Sequence, residues 1–484
     1  MAVEPAIPGN IVDNPRRRRV LRAGGFAAAS IAGVSHAAES FVVDDVSKLD
    51  RVHVARIVRP GSSQEVRELL RRSTGPVSIG GGCFSMGGQI AATGSLHLDM
   101  RGMNGVVWLD VSRRRIRVQA GMTWRELQDV IDPHDLAVKI MQNYSNFSIG
   151  GSVSVNCHGR YVGAGPVVNS IRALQVAFAD GRIMELSREI NPDIFRAVAG
   201  GYGGLGVITE VELELAENCV IARQCERVAL ADYPAFFREK ILSNPHILLH
   251  NADLAPPSFD RPLAVTWEVS EKKLTESKRL VPRGLNYARE QNLIWALTEL
   301  PATHWLRERY ADDALLNTEA VVRRNYEASL DTASLEPRTR VFSTYLLQEY
   351  FVPTQAFLPF ARKMATVLKQ YNVPALNISI RHSPADTTAL LAWAQTEVFS
   401  FVLYYKQRSN EEADEASRRW TSRLIDTAIS AGGRYYLPYR LHASPDQFHR
   451  AYPQVAEFFQ IKNKVDPGNR FRNMLWDKYL PCAK

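Results

Sequence analysis

Three glycine-dense stretches, each beside an apolar run, constrain this 484-residue chain more than any other feature. The first, PVSIGGGCFSMGGQ (76–89), holds five glycines in fourteen residues. The second, NFSIGGSVSVNCHGRYVGAG, spans 146–165, and the third, GGYGGLG, runs from Gly200 to Gly206. Glycine loses more backbone freedom on folding than any other residue. Such density persists where side chains would obstruct something close to the backbone, or where bare amides face a ligand. Uncovered backbone N–H groups form concave nests for anionic oxygens. One cluster alone reads as a set of tight turns. Three clusters beside strands read as a cradle for a large phosphate-bearing cofactor, and Gly80 to Ser85, with the polar Ser85 and Gln89, suit a pyrophosphate.

The intervening sequence supplies short strands and helices. RPGSSQEVRELLRRS places an N-cap at Ser62 or Ser63 before a short amphipathic helix. SLHLDM (95–100) alternates as a strand, and GVVWLDVSRRRIRVQAGMTW gives two strands about an Asp-x-Ser-Arg turn. Thr123 with Glu126 forms a capping box for a helix from Trp124. The stretch 146–165 is too glycine-rich for a helix. SIRALQVAFADGRIMELS is a hairpin about Asp180-Gly181, and Val207, Thr209, Val211 and Leu213 alternate on a strand. After Cys219 the glycine clusters stop. Strands such as RPLAVTWEV and SFVLYYKQ alternate with helices in PTQAFLPFARKMATVLKQY and EEADEASRRWTSRLIDTAIS, Glu271 to Arg323 reads as a helical insertion, and Asp446 to the stop at Asp466-Pro467-Gly468 reads as one helix. The fold class is α+β with two domains. No GxGxxG follows a strand with an acid about 20 residues later, which argues against a nicotinamide Rossmann site.

Composition excludes several functions. Hydrophobic residues make up 45% and charged residues 23%, with no apolar run of the roughly 20 residues a membrane span needs. The net charge is +8, but Arg16 to Arg19 carry half of it, so nucleic-acid binding is not expected. Arg17-Arg18-Arg19-Val20-Leu21-Arg22, a mild apolar stretch from Ala23 to Val34, and the small residues Ser35 and Ala37 read as a twin-arginine-like signal over 1–37, with periplasmic or exported localisation. The five cysteines (Cys83, Cys157, Cys219, Cys225 and Cys482) include no CxxC, so no metal site is expected. A Cys219–Cys225 bridge is open. The chain lacks a GxSxG elbow and an HExxH helix, against hydrolase chemistry.

VSIGGGCFSMGG, SIGGSVSVNCHG and GGYGGLGVITEVEL, in that order, resemble the flavin-binding domain of the vanillyl-alcohol oxidase/p-cresol methylhydroxylase (PCMH-type) superfamily. YYLPYR…FHRAYPQVAEFFQIKNKVDPGNRF resembles the C-terminal segment of its sugar-oxidising members, the decaprenylphosphoryl-ribose, aldonolactone and alditol oxidases. The resemblance implies a PCMH-type FAD-binding domain over 41–216, an α+β substrate or cap domain over 217–440, and a segment 441–484 packing back on the first. It implies FAD held at Ile79, Gly80, Gly81, Gly82, Cys83, Phe84, Ser85, Met86, Gly87, Gly88 and Gln89 around the pyrophosphate. It adds Asn143, Ser148, Ile149, Gly150 and Gly151, then Val155, Asn156, Cys157 and His158 beside the ring, and Ile208 and Tyr436. Many members attach flavin covalently through a histidine where this chain has Cys83. Non-covalent FAD is therefore expected, with a thioether to Cys83 or Cys157 as the alternative. The ribose oxidases carry a lysine where this chain has Tyr439, which leaves Arg440 next door to anchor substrate.

Flavin accepts a hydride, and the protein orients the C–H bond and takes the hydroxyl proton. His158, Tyr439 and Arg440 are the catalytic candidates, with histidine the natural base near neutral pH. Glu349, Arg381, His382 and Tyr404 are substrate candidates, with Tyr350 and Tyr405 beside them; buried hydroxyls of a sugar need such partners. The expected function is an FAD-dependent oxidase or dehydrogenase acting on the CH–OH group of a sugar, sugar alcohol, lactone or glycosylated lipid. The acceptor is oxygen or a periplasmic electron carrier. A carbon–carbon double-bond reductase of the sterol-reductase type, and a non-catalytic flavin-binding partner subunit, are the alternatives.

Overall fold

The computed structural model describes residues 41–300, 312–337 and 339–480, all within one contact unit, Ser40–Lys484. The signal-like segment 1–37 and Cys482 lie outside the described residues.

The first glycine cluster grows out of a small parallel sheet. Strands Arg56–Val58 and Val77–Gly80 flank Leu96–Asp99, and the helix Ser63–Arg72 makes the crossover between the outer two. Ser62 caps that helix by accepting the Glu65 amide, and Val66 and Leu70 are its buried face. Leu96–Asp99 is buried along most of its length instead of alternating, as a central parallel strand must be.

A second, antiparallel sheet runs in the order Ile183–Ser187, Ile171–Ala177, Val207–Glu217, Arg115–Gln119 and Val106–Asp110, with Leu136–Val138 added to the end of Val207–Glu217. The capping box is present: Glu126 N donates to Thr123 Oγ1 and the Thr123 amide to Glu126 Oε2. The second glycine stretch, expected to lack helix, contains a helical turn at Ile149–Ser154. Tertiary contact overrides propensity there. The Ile149 and Gly150 amides donate to Met122 O and Ala120 O, and a Cβ on Gly150 would lie 2.7 Å from the Ala120 Cβ, so only glycine lets this turn sit on the strand end.

Just beyond Glu217 the chain enters an eight-stranded antiparallel sheet ordered Val321–Arg323, Val220–Arg227, Leu263–Val269, Ile247–Leu254, Ala375–Ser383, Val398–Arg408, Ser343–Pro353 and Arg434–Tyr435. Helices Phe357–Gln370 and Glu411–Ser430 pack against one another beside its strands. One continuous apolar core joins this sheet to the antiparallel sheet before it. The insertion Glu271–Arg323 is helical at Ala288–Glu299, but its last residues form the edge strand Val321–Arg323. Cys219 and Cys225 are free thiols at the two ends of one extended stretch. Six residues at about 3.3 Å each hold them far beyond disulfide reach.

The C-terminal segment returns to the glycine clusters. It forms two helices, Pro445–Ala451 and Val455–Val465, where one was expected, because Pro453 has no N–H to continue the first. The chain beyond them runs alongside Val77: Val77 N donates to Arg470 O, and Arg472 N to Val77 O. Lys462 Nζ donates to Gly204 O at 2.6 Å, Asn473 to Tyr202 O, and Trp476 Nε1 to Gly201 O.

Candidate functional site

All three glycine stretches face one cavity, about 1820 Å³ of atom-free space with its mouth included. The parallel sheet delivers Gly81 to Met86, the helical turn delivers Ser148, Gly150 and Gly151, and the third cluster delivers Gly201 to Gly206. The opposite wall comes from the eight-stranded sheet. The backbone amides of Cys83, Phe84 and Ser85 find no acceptor among the described residues, whereas Gly82 N donates to Ser148 Oγ at 3.1 Å. Unpaired amides lining a concave, glycine-walled space fit the anionic oxygens of a dinucleotide.

In the wall of the cavity, His158 Nε2 lies 2.6 Å from Glu349 Oε1, and both side chains are almost wholly buried. The hydroxyl of Tyr439 interacts with the same carboxylate, and burial holds that phenol well above its usual pKa. Arg381 also faces the cavity, with its Nε buried and unpartnered among the described residues. Tyr436 hydrogen-bonds Val155 O at 2.9 Å, which ties the C-terminal segment to the helical turn.

The strands sort the paired candidates by their two-residue alternation. Glu349 faces the cavity, and Tyr350 is buried on the other side against Phe360. Tyr404 faces in, and Tyr405 packs edge-on against Trp420. Arg381 faces in, while His382 is turned away to Glu397, 2.7 Å from its Nε2, and to the Phe237 ring. His382 is therefore not a substrate contact in this structure. Arg440 does not reach the cavity either. Its guanidinium pairs with Asp50 and, at 2.9 Å, with Asp414, so it cross-links the N-terminal segment to the helix Glu411–Ser430.

Of the expected cofactor contacts, Ile79, Gly81, Gly82, Cys83, Phe84, Ser85, Met86, Gln89, Ser148, Gly150, Gly151, Val155, Cys157, His158, Ile208 and Tyr436 line the cavity. Gly80, Gly87, Gly88, Asn143, Ile149 and Asn156 lie behind its wall. The three glycines there make room for protein: added Cβ atoms would meet His97, Tyr439 O and Met474 respectively. Ile149 is core, and Asn143 Oδ1 is buried without a partner among the described residues. Sequence reasoning missed Tyr144, Tyr202, Glu336, Arg340 and Tyr345. Tyr202 left a trace, an aromatic residue inside a glycine cluster, held at φ +51°. The others sit in ordinary loop and strand sequence.

Neither cysteine of the cavity is activated. Burial pushes the Cys83 thiol up, and Cys157, which donates to Gln142 Oε1 at 2.9 Å, is pushed up to about 12. A thiolate is the nucleophile in thioether formation, so both sites disfavour it. Among the described residues no cluster fits a metal ion, and no helix is long and apolar enough to cross a membrane.

Comparison with known proteins agrees with this geometry. Residues 54–187 match the FAD binding domain family and residues 260–480 the D-arabinono-1,4-lactone oxidase family. L-gulonolactone oxidase of Bos taurus is 31% identical over 432 residues, 87% of this chain and 94% of that protein. Decaprenylphosphoryl-beta-D-ribose oxidase of Mycolicibacterium smegmatis is 21% identical over 473 residues, 89% of this chain and 93% of that protein. L-galactono-1,4-lactone dehydrogenase 1 of Oryza sativa is 27% identical over 180 residues, 36% of this chain and 30% of that protein. The chain belongs to the sugar-oxidising, PCMH-type FAD-dependent oxidoreductases. It is an FAD enzyme that oxidises CH–OH groups of sugars, lactones or glycolipids, and the reductase and non-catalytic alternatives find no support.

Proposed function

We propose that this enzyme oxidises a CH–OH carbon of a sugar lactone and that His158 takes the hydroxyl proton. The buried 2.6 Å contact between His158 Nε2 and Glu349 Oε1, at the wall of the glycine-lined cavity, carries this reading. Bound FAD supplies the hydride acceptor. A carboxylate only accepts hydrogen bonds, so the pairing puts the ring proton on Nε2 and leaves Nδ1 to receive a proton. Glu349 then stabilises the imidazolium that results. Tyr439 stays protonated throughout the working pH range because burial disfavours its phenolate, so it serves as a fixed donor. Arg381, whose buried Nε has no partner among the described residues, offers a donor to a substrate oxygen. Phe351 and Trp393, stacked 4.4 Å apart, pack against His158 and exclude water from its far side.

The names of the relatives favour a lactone over a lipid-linked sugar, since the relative at 31% identity is a gulonolactone oxidase. Oxygen or a periplasmic electron carrier is the electron acceptor in this reading, and the Arg17–Arg22 segment directs export along the twin-arginine route with FAD already bound. The test is anaerobic mixing of the holoenzyme with L-gulono-1,4-lactone, L-galactono-1,4-lactone or D-arabinono-1,4-lactone. Bleaching of the yellow band by a lactone supports the reading, and air then separates an oxidase from a dehydrogenase. Bleaching by a ribosylated lipid but by no lactone overturns it. Cell fractionation of the full chain against an Arg17→Lys/Arg18→Lys variant tests export.

A further inference from the structure

We propose that Asp386 is a positioning residue for His158, acting through Asn156, and that the loop 384–394 braces the flavin-side histidine from the substrate-side sheet. This rests on the reading that His158 and Glu349 handle the substrate proton. The loop links the adjacent strands Ala375–Ser383 and Val398–Arg408, and it closes on itself where Asp386 N donates to Ala394 O at 2.7 Å. Inside it the Asp386 carboxylate is filled. One oxygen accepts the amides of Thr388 at 2.8 Å and Ala389 at 3.0 Å; the other accepts Asn156 Nδ2 at 2.8 Å.

Asn156 is the pivot. It lies two residues before His158, at φ +47°, a left-handed conformation that asparagine tolerates better than most side chains. Its own Oδ1 accepts Val168 N, and its carbonyl accepts Trp393 Nε1 at 2.9 Å. The loop therefore grips Asn156 twice, by a carboxylate at one end and an indole at the other. The Trp393 ring then lies 4.7 Å from the imidazole of His158 and stacks on Phe351, two residues along the strand from Glu349. Asp386, Asn156 and Trp393 are all buried, and none lines the cavity. Lying behind the wall, they act on the site indirectly, and the contacts that lead from them to the dyad are the Asn156 backbone two residues before His158 and the Trp393 ring beside its imidazole. The titratable groups facing His158 are Glu349 from the strand Ser343–Pro353, Tyr436, and Cys157 beside it in the chain, while Tyr439 reaches the same Glu349 carboxylate.

The experiment uses two measurements that need no known substrate. The first is amide exchange of the 152–168 segment, followed by mass spectrometry in both the apo and the FAD-loaded protein. The second is the midpoint potential of the bound flavin against pH, with dithionite as reductant. Asp386→Asn keeps one acceptor oxygen but puts an amide opposite the Asn156 amide. Trp393→Phe keeps a ring but removes the donor to Asn156 O. Each should raise exchange at Cys157 and His158 roughly tenfold, and each should move the bend in the potential–pH line by about one pH unit. Flavin content should stay near wild type. The exchanged pair Asn156→Asp/Asp386→Asn restores one donor and one acceptor, and should return both readouts toward wild type. The same potential line is measured for His158→Gln and Glu349→Gln. If those two move the bend and the brace variants do not, the positioning role is overturned while the proton-handling reading stands. If neither dyad variant moves it, that reading falls and the proposal falls with it. Failure of the exchanged pair to recover exchange protection, with folding intact by circular dichroism, also overturns the proposal.

Discussion

A Cβ added to Gly81 would lie 2.2 Å from Ser148 Oγ, so the first and second glycine stretches are packed directly on one another. The hydroxyl that occupies the space also accepts the Gly82 amide. The loop is thus held by a neighbouring loop as well as shaped for its ligand. Gly81→Ala should lose flavin and lower the melting temperature of the apoprotein, at an overpacking cost of about 1–3 kcal/mol. Gly81→Ala/Ser148→Ala, which removes the clashing oxygen, should recover part of both. Strict additivity of the two substitutions in a thermal double-mutant cycle would contradict this contact.

Asp45 holds the other side of the same loop. It accepts the Gly88 amide at 2.9 Å and both donors of Ser47, yet burial raises its pKa to about 6. The folded protein then binds a proton at this site that the unfolded chain has released between pH 4 and 6. Stability from Asp45 is complete below about pH 4 and is lost as pH rises through 6, an effect on the order of 3 kcal/mol. Asp45→Asn should flatten that part of the apoprotein's stability–pH curve, measured by urea unfolding at pH 4, 5, 6 and 7. An unchanged slope would exclude Asp45 as its source.

The local elements were legible where they depend on neighbours in sequence. Caps at Ser62 and Thr123, the Asp180-Gly181 hairpin and the helix Glu411–Ser430 all follow from short-range rules. The glycine clusters pointed to the cavity because three of them needed a common cause. Sequence did not say which glycines face a ligand and which face protein: Gly80, Gly87 and Gly88 make room for His97, Tyr439 and Met474, contacts made across long sequence distances. Of a paired candidate such as Arg381-His382, only one member faces the cavity, for a geometric reason. A strand shows its two neighbours to opposite faces, and only the assembled sheet says which face is the site. Glu349 and His158 meet across 191 residues, and no spacing rule reaches that far.

Cys83 occupies the wall of the cavity at φ +60°, with its thiol toward Gly81 O and its pKa raised by burial. Cys83→Ser should retain flavin at nearly full occupancy. Acid precipitation of the wild-type protein should leave the yellow colour in the supernatant, as should Cys157→Ala. A yellow pellet that turns colourless in only one of the two variants would locate a covalent bond and reverse this conclusion.

The dyad gives the sharpest separation of binding from chemistry. His158 and Glu349 line the cavity but are held by each other and by aromatic neighbours, so replacing either alters few contacts of the glycine cradle. His158→Gln should leave FAD content and melting temperature close to wild type, and slow anaerobic flavin reduction by about 10²- to 10⁴-fold, the range of a lost general base. Glu349→Gln keeps a hydrogen-bond acceptor for Nε2 but no charge to stabilise the imidazolium, so its loss should be smaller. Tyr439→Phe removes a donor and no base. It should raise KM for the lactone with a modest change in kcat, which is the pattern of a lost binding contact. Full activity in His158→Gln, measured by stopped-flow bleaching across pH 5 to 9, would move the proton acceptor to another residue of the wall, and Glu349 is the group then within reach.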